Sequence, residues 1–221
     1  SSAPEGLVIL ANQQTAGRGR LGRDFYSPPD TGLYLSLLLR PRQMQPQHAT
    51  RITTMAALAA CEAIEAVTQR QPQIKWVNDI FLEGKKVCGI LTEGSFNLET
   101  GQLDDVVVGI GFNVYPPAGG FPPEIAEIAD SILQKQHSGT KNKLAAAFLN
   151  FFFQIYRGEN DYVPAYRARS MVIGKSIVVS TPTASRNASA LDIDRDCRLI
   201  VRYEDGSIDS LSSAEVSIRP Q

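Results

Sequence analysis

Apolar residues follow two rhythms along this chain. Leu7–Asn12 and Leu33–Leu39 are short, nearly continuous apolar runs and predict buried strands, the second after the turn residues Pro28-Pro29-Asp30-Thr31-Gly32. Over residues 48–69 the rhythm changes: Ile52, Met55, Ala59, Ala63 and Ala66 recur every three or four positions and predict a helix. Ile74–Val77 predicts a short strand. Ile80–Leu82 and Val87–Glu93 predict two arms of a hairpin about Glu83-Gly84-Lys85. Asn97–Gln102 reads as a polar turn before another apolar strand, Asp105–Val114. A Pro/Gly loop over Tyr115–Pro123 then leads into helical patterns at 124–135, 141–157 and 161–170. After Gly174 every segment is short and strand-like: Ser176–Ser180, Ala188–Ile193, Leu199–Tyr203, Ser207–Leu211 and Val216–Ile218, with Asp205-Gly206 as a hairpin turn. Five short strands in about 45 residues predict a small barrel. The pattern divides the chain into a domain over 1–172 and a second over 173–221, and its class is α+β.

Composition narrows the function without naming it. The chain has 221 residues, 43% hydrophobic and 20% charged, with a net charge of −1. That is an ordinary globular composition with no overall basic footprint, so a nucleic-acid partner is not expected. No apolar run reaches the roughly 18–20 residues needed to span a bilayer, and Ser1–Gly6 has no export pattern, so neither membrane nor secretion is expected. Cys61, Cys88 and Cys197 are odd in number and widely spaced, which predicts reduced thiols in a cytoplasmic protein. His48 and His137 are too few for a histidine-based metal cluster.

Four segments stand out as candidate chemistry. Gly17-Arg18-Gly19-Arg20-Leu21-Gly22-Arg23 places three guanidiniums among three glycines, directly between two apolar strands. Such a loop suits the wrapping of a phosphate or carboxylate, and its glycines predict mobility when it is empty. A flexible surface loop or a nucleic-acid contact is the competing reading, although aromatic interleaving is thin. Lys75-Trp76-Val77-Asn78-Asp79 clusters an ammonium, an amide and a carboxylate at a strand end, with Trp76 read as core; a solvated strand end is the alternative. Lys85-Lys86-Val87-Cys88-Gly89-Ile90-Leu91 brings lysines into a strand that carries a glycine, or is simply a hairpin end with solvated lysines. Gly109-Ile110-Gly111-Phe112-Asn113-Val114 has two glycines of a dinucleotide fingerprint but no third and no following helix.

Taken in this order, the four segments resemble the biotin–protein ligase family, whose catalytic domain carries a GRGRxGR loop, a KWPND segment, a K-(L/V)-x-G-I-L strand and a G-x-G-x-N strand. The resemblance runs from about residue 5 to the C-terminus. It implies a mixed β-sheet with helices on one face, of the class II synthetase-like kind, followed by an SH3-like barrel. It implies ATP, biotin and Mg²⁺ as ligands, biotinoyl-AMP as the intermediate, and a lysine of a biotin carboxyl carrier domain as the acceptor. On that basis Lys86 and Arg20 are the catalytic residues. Gln14, Gly17, Arg18, Gly19, Lys75, Asn78, Gly89 and Asn113 join them in binding, and Asp79 serves ATP and the metal. Pairing through the sheet would make a homodimer. Val77 stands where the family has proline, and Phe25 stands for the aromatic, often tryptophan, after the loop. The family's Ser-Thr-Asn biotin segment and its occasional DNA-binding domain have no counterpart from Ser1 onward. A lipoate- or octanoyl-transferring enzyme and a non-catalytic binding module are the alternative functions.

Overall fold

The fold is given by a computed structural model that describes residues 3–41, 44–45, 48–96, 102–158, 160–181 and 184–219. Six strands form the main sheet: β1 (Val8–Ala11), β2 (Gly32–Leu39), β3 (Gln73–Lys75), β4 (Asp79–Leu82), β5 (Lys85–Phe96) and β6 (Leu103–Asn113). Their spatial order is β1-β2-β6-β5-β4-β3. The sheet expected as mixed has antiparallel pairing between every neighbouring strand. Parallel contact is confined to the single bridges Ile74–Ser170 and Lys86–Ala129. Consecutive hairpins account for this: β3-β4, β4-β5 and β5-β6 are joined by short links, which only antiparallel neighbours accept.

Alternation along β5 and β6 separates two faces. Cys88, Ile90, Val106, Val108, Ile110 and Phe112 point to one face and are buried. Against it lie α1 (Ala49–Thr68) and, packed on α1, α2 (Thr140–Arg157). Five of the twelve buried residues of α1 are alanine, which lets the helix approach its neighbours closely, and Phe148 and Phe152 of α2 are fully buried beside it. The opposite face carries Gly89, Leu91 and Glu93 of β5 directly across from Gly111, Gly109 and Val107 of β6. Among the described residues no helix covers these positions, and the arginine loop arches over them.

A short helix, α3 (Val163–Ala168), leads to the C-terminal sheet of β7 (Ser176–Ser180), β8 (Ser185–Ile193), β9 (Leu199–Tyr203), β10 (Ile208–Leu211) and β11 (Glu215–Ile218). Its order is β10-β9-β8-β7-β11, antiparallel throughout. The two sheets share one apolar core. Trp76, read as core, is buried there, and its indole N–H donates to the Cys197 carbonyl across the junction at 3.0 Å.

The helix expected over 124–135 is absent: the backbone there forms turns and an isolated bridge. Its polar groups bond to the sheet instead. Lys86 N–H donates to Ile128 O at 2.8 Å, Asp130 N–H to Lys86 O at 3.0 Å, and Ile132 N–H to Asn113 O at 2.8 Å. The segment forms a strap beside Lys86, where β6 has ended. The polar turn expected at 97–102 lies outside the described residues, except for Gln102.

Candidate active site

The arginine loop is a closed hairpin. Phe25 N–H donates to Gly17 O at 2.9 Å, Gly19 N–H to Arg23 O at 2.6 Å, and Arg23 N–H to Arg20 O at 3.2 Å. The tip Arg20–Gly22 is a single 3₁₀ turn with Leu21 and Gly22 at φ of 57° and 74°. Gly17 is buried at the base, where a Cβ would lie 2.4 Å from Phe25 O and 2.6 Å from Ser27 Oγ. Only glycine fits this approach. Ser27, buried and not singled out from the sequence, shares its hydroxyl proton between Gln14 Oε1 at 2.8 Å and Phe25 O at 2.9 Å.

Beneath the loop is a cavity of about 290 Å³, at the small end of ligand sites. Its floor is the open face of β5 and β6, with Gly89, Leu91, Gly109 and Gly111; its walls include Gln14, Arg18, Gly19, Arg20, Asn78 and Lys86. The Phe25 ring lies across the two facing glycines: a Cβ on Gly111 would come 2.4 Å from it and one on Gly89 3.0 Å. Thus the glycines of the third and fourth motifs make one gap in the sheet face, and Phe25 enters it. A neighbouring cavity of about 130 Å³ shares Gly19, Arg20, Phe25, Asn78 and Lys86, and adds Lys75 and Asp79.

Lys86 sits where the cavities meet. Its Nζ is 2.6 Å from Asp79 Oδ1, with both side chains mostly buried. At this distance the ammonium and the carboxylate form a close ion pair. Asn78 is committed at both ends of its amide: Nδ2 donates to Ile90 O at 2.8 Å, and Oδ1 accepts from Arg20 Nη1 at 3.0 Å. Arg18 pairs with Glu93 of β5 at 3.2 Å. Burial holds the Lys75 ammonium below the usual lysine value; Asp79 opposes this shift, and Lys86 and Arg23 add to it.

The structure therefore gathers most of the expected residues in one place. Gly17 supports the loop from below and does not line either cavity. Asn113 also lies outside both linings; its Nδ2 donates to Asp130 O of the strap at 3.2 Å. Asp79 was the expected metal ligand, yet its buried oxygen faces an ammonium. Among the described residues no three His, Cys, Asp or Glu side chains converge on a point that could hold a metal. The donor set does not fit a resident, protein-caged Mg²⁺. Phe25, Ser27, Glu93 and Glu215 belong to the neighbourhood but were not among the expected binding residues. For Phe25 a sequence signal existed, the aromatic position after the loop; the two glutamates are brought in only by folding.

Residues 1–113 match the biotin/lipoate A/B protein ligase family, and residues 172–219 match the biotin protein ligase C-terminal domain. The biotin--[acetyl-CoA-carboxylase] ligase of Paracoccus denitrificans is 33% identical over 206 residues, 88% of this chain and 83% of that protein. The bifunctional ligase/repressor BirA of Bacillus subtilis is 32% identical over 226 residues, 99% of this chain and 68% of that protein. The biotin protein ligase of Aquifex aeolicus, solved with biotin and ATP, has the same fold: its TM-score is 0.79 at 24% identity, over 100% of this chain and 92% of that one. With one family model spanning half its length and a second covering its C-terminal sheet, the chain belongs to the biotin/lipoate A/B protein ligase family, among its biotin–protein ligases.

Proposed function

We propose that this chain activates biotin with ATP to biotinoyl-5′-AMP and pyrophosphate, then transfers the biotinoyl group to a lysine of a biotin carboxyl carrier domain. The observation that carries this reading is the meeting of Lys86 and Arg20 at the neck between two cavities, one floored by glycines and apolar strand, the other rich in cations. In the first step a carboxylate attacks the α-phosphate of ATP, so two anions must be brought together. Fixed cations at the junction offset that repulsion and stabilise the charge that develops there.

In this reading biotin's bicyclic end lies on the glycine-lined face, with Gln14 offering its amide to the ureido group, and its carboxylate reaches the neck. The nucleotide phosphates take the second cavity beside Lys75. Lys86 Nζ is the group that contacts both reactants. Asp79 holds that ammonium in place, and Asn78 does the same for Arg20. Asn113, bonded to the strap at the edge of the site, would help hold the nucleotide. Mg²⁺ would be carried largely by the nucleotide's own phosphates and water, with Asp79 the carboxylate nearest Lys86 in the second cavity, since no three carboxylates among the described residues converge on one point. In the second step the acceptor amine displaces AMP, and the closed loop excludes water from the mixed anhydride until it arrives.

The three unbridged, buried thiols support a cytoplasmic location. Among the described residues no helix is long and apolar enough to cross a membrane. A net charge of −1 supports the absence of a nucleic-acid partner, and Ile9 and Leu10, exposed on edge strand β1, are a surface through which a homodimer could form. The test of the central reading is pyrophosphate release by the full chain with ATP and either biotin or lipoate. Release with biotin alone is expected. Release with lipoate alone, or tight biotin binding with no release, overturns the proposal.

A further inference from the structure

The three arginines of the loop hold three different elements. Arg18 pairs with Glu93 on β5, and Arg20 with Asn78 before β4. Arg23 turns the other way and donates from Nη2 to Glu215 Oε2 at 2.6 Å, across 192 residues of sequence. Glu215 is the first residue of β11, whose pairing with β7 fixes its backbone opposite Ser180. Its side chain is 29% exposed, against 65% for Arg23, so the more ordered partner is the carboxylate. The 130 Å³ cavity lies between these units: Ala214, Glu215 and Val216 form one wall, and Lys75, Asp79 and Lys86 line it from the main sheet. Arg18 and Arg20 line the larger cavity; Arg23 lines only the smaller one, at the wall where Glu215 stands.

We propose that Arg23 and Glu215 are a positioning pair through which the C-terminal sheet holds the arginine loop closed over the cavity. Arg23 is then a fastener, not a phosphate ligand. A phosphate brought to Arg23 would have to displace Glu215 or stand beside its negative charge, which costs attraction at either place. The C-terminal sheet has a second grip on the same region through Cys197 O and the Trp76 indole, which fixes the segment bearing Asn78 and Asp79. Loop and strand end, the two parts that meet at Lys86, thus both contact the same C-terminal sheet. The inference uses the ligand-site reading above only for its catalytic consequence; the closure itself is independent of that reading.

The test uses the full chain and four variants: Glu215→Gln, Arg23→Ala, the two combined, and the exchange Arg23→Glu with Glu215→Arg. Two quantities are read. The first is the rate of trypsin cleavage after Arg20 in the native protein without ligand. The second is the split of KM and kcat for biotin- and ATP-dependent pyrophosphate release. A partly exposed pair holds a loop by a modest factor, so each single change is expected to speed cleavage up to about fivefold. The double variant should be no faster than either single, and the exchange should return cleavage toward wild type. KM should rise in parallel, with kcat changed less. Unchanged cleavage in Glu215→Gln overturns the proposal. So does an Arg23→Ala variant whose ATP affinity falls tenfold or more beyond that of Glu215→Gln, with additive effects, because Arg23 then touches the nucleotide. If cleavage behaves as expected but the wild-type chain releases no pyrophosphate, the fastening stands and the functional reading fails.

Discussion

Replacing Gly17 with alanine adds one methyl group at the base of the arginine loop, and the structure sets its effect. An ideal Cβ would lie 2.4 Å from the Phe25 carbonyl oxygen, 2.6 Å from Ser27 Oγ and 3.1 Å from Gln14 Oε1. Ordinary non-bonded contact needs about 3.5 Å, so the neighbours must retreat by about 1 Å. The nearest is backbone, which has no rotamer to escape into. Relief comes by parting the 14–17 segment from the 25–27 segment. That breaks Phe25 N–H to Gly17 O at 2.9 Å and disturbs the Ser27–Gln14 contact at 2.8 Å. Two lost hydrogen bonds at about 1 kcal/mol each, or an overpacking cost of about 1–3 kcal/mol, give the same range. The cost falls on loop closure and not on the core, because the loop can open locally. At about 1.4 kcal/mol per tenfold, the biotin dissociation constant should rise about 5- to 150-fold, with about 30-fold for the two lost hydrogen bonds. The melting temperature should move by no more than about 2 °C. Calorimetric titration with biotin and a thermal melt supply both numbers. Adding Ser27→Ala should not rescue binding, since the closest contact is the Phe25 carbonyl. Biotin affinity within threefold of wild type in Gly17→Ala would refute the account of the loop base.

Lys86→Met should lower pyrophosphate release about 10²- to 10³-fold, as for loss of one preorganised charge at a reacting centre; near-normal turnover would count against Lys86 as the catalytic cation. Arg20→Ala removes the 3.0 Å bond to Asn78 and should let biotinoyl-AMP leak, seen in a single-turnover assay as released intermediate; unchanged retention argues otherwise. Lys75, held below the usual lysine value by burial, loses its charge as pH rises through that lowered value, so ATP affinity should weaken at a less alkaline pH than an ordinary lysine would cause. Lys75→Arg should push that limb to higher pH. Burial raises all three cysteine thiols, so a thiol-reactive dye at pH 8 should label none in the native protein and three after unfolding.

The local parts of this site were legible in the sequence, and what joins them was not. Each motif is a few adjacent residues whose chemistry shows in one dimension: glycines spaced by two put Gly109 and Gly111 on one face of a strand, and Gly89 faces Gly111 once the strands pair. The C-terminal strands were readable for the same reason, since alternation and an Asp-Gly turn act locally. The 124–135 segment shows the limit. Its apolar spacing suits a helix, but a helix would use Ile128 O, Asp130 N–H and Ile132 N–H within itself. The sheet offers those groups partners at Lys86 and Asn113, at the place where β6 has stopped and Lys86 would otherwise lack a neighbour on that side. Tertiary demand outweighs a weak local preference there. The same logic explains Asn78 and Asp79. Their spacing marked them as polar groups at a strand end, yet spacing cannot say that Arg20 takes the amide and Lys86 the carboxylate. Those pairings support a role in holding cations in place ahead of touching ligand. Asp79→Asn distinguishes the roles. If Asp79 positions Lys86, the variant should lower kcat while Mg²⁺ dependence stays as in wild type. If Asp79 ligates the metal, the Mg²⁺ concentration for half-maximal activity should rise tenfold or more.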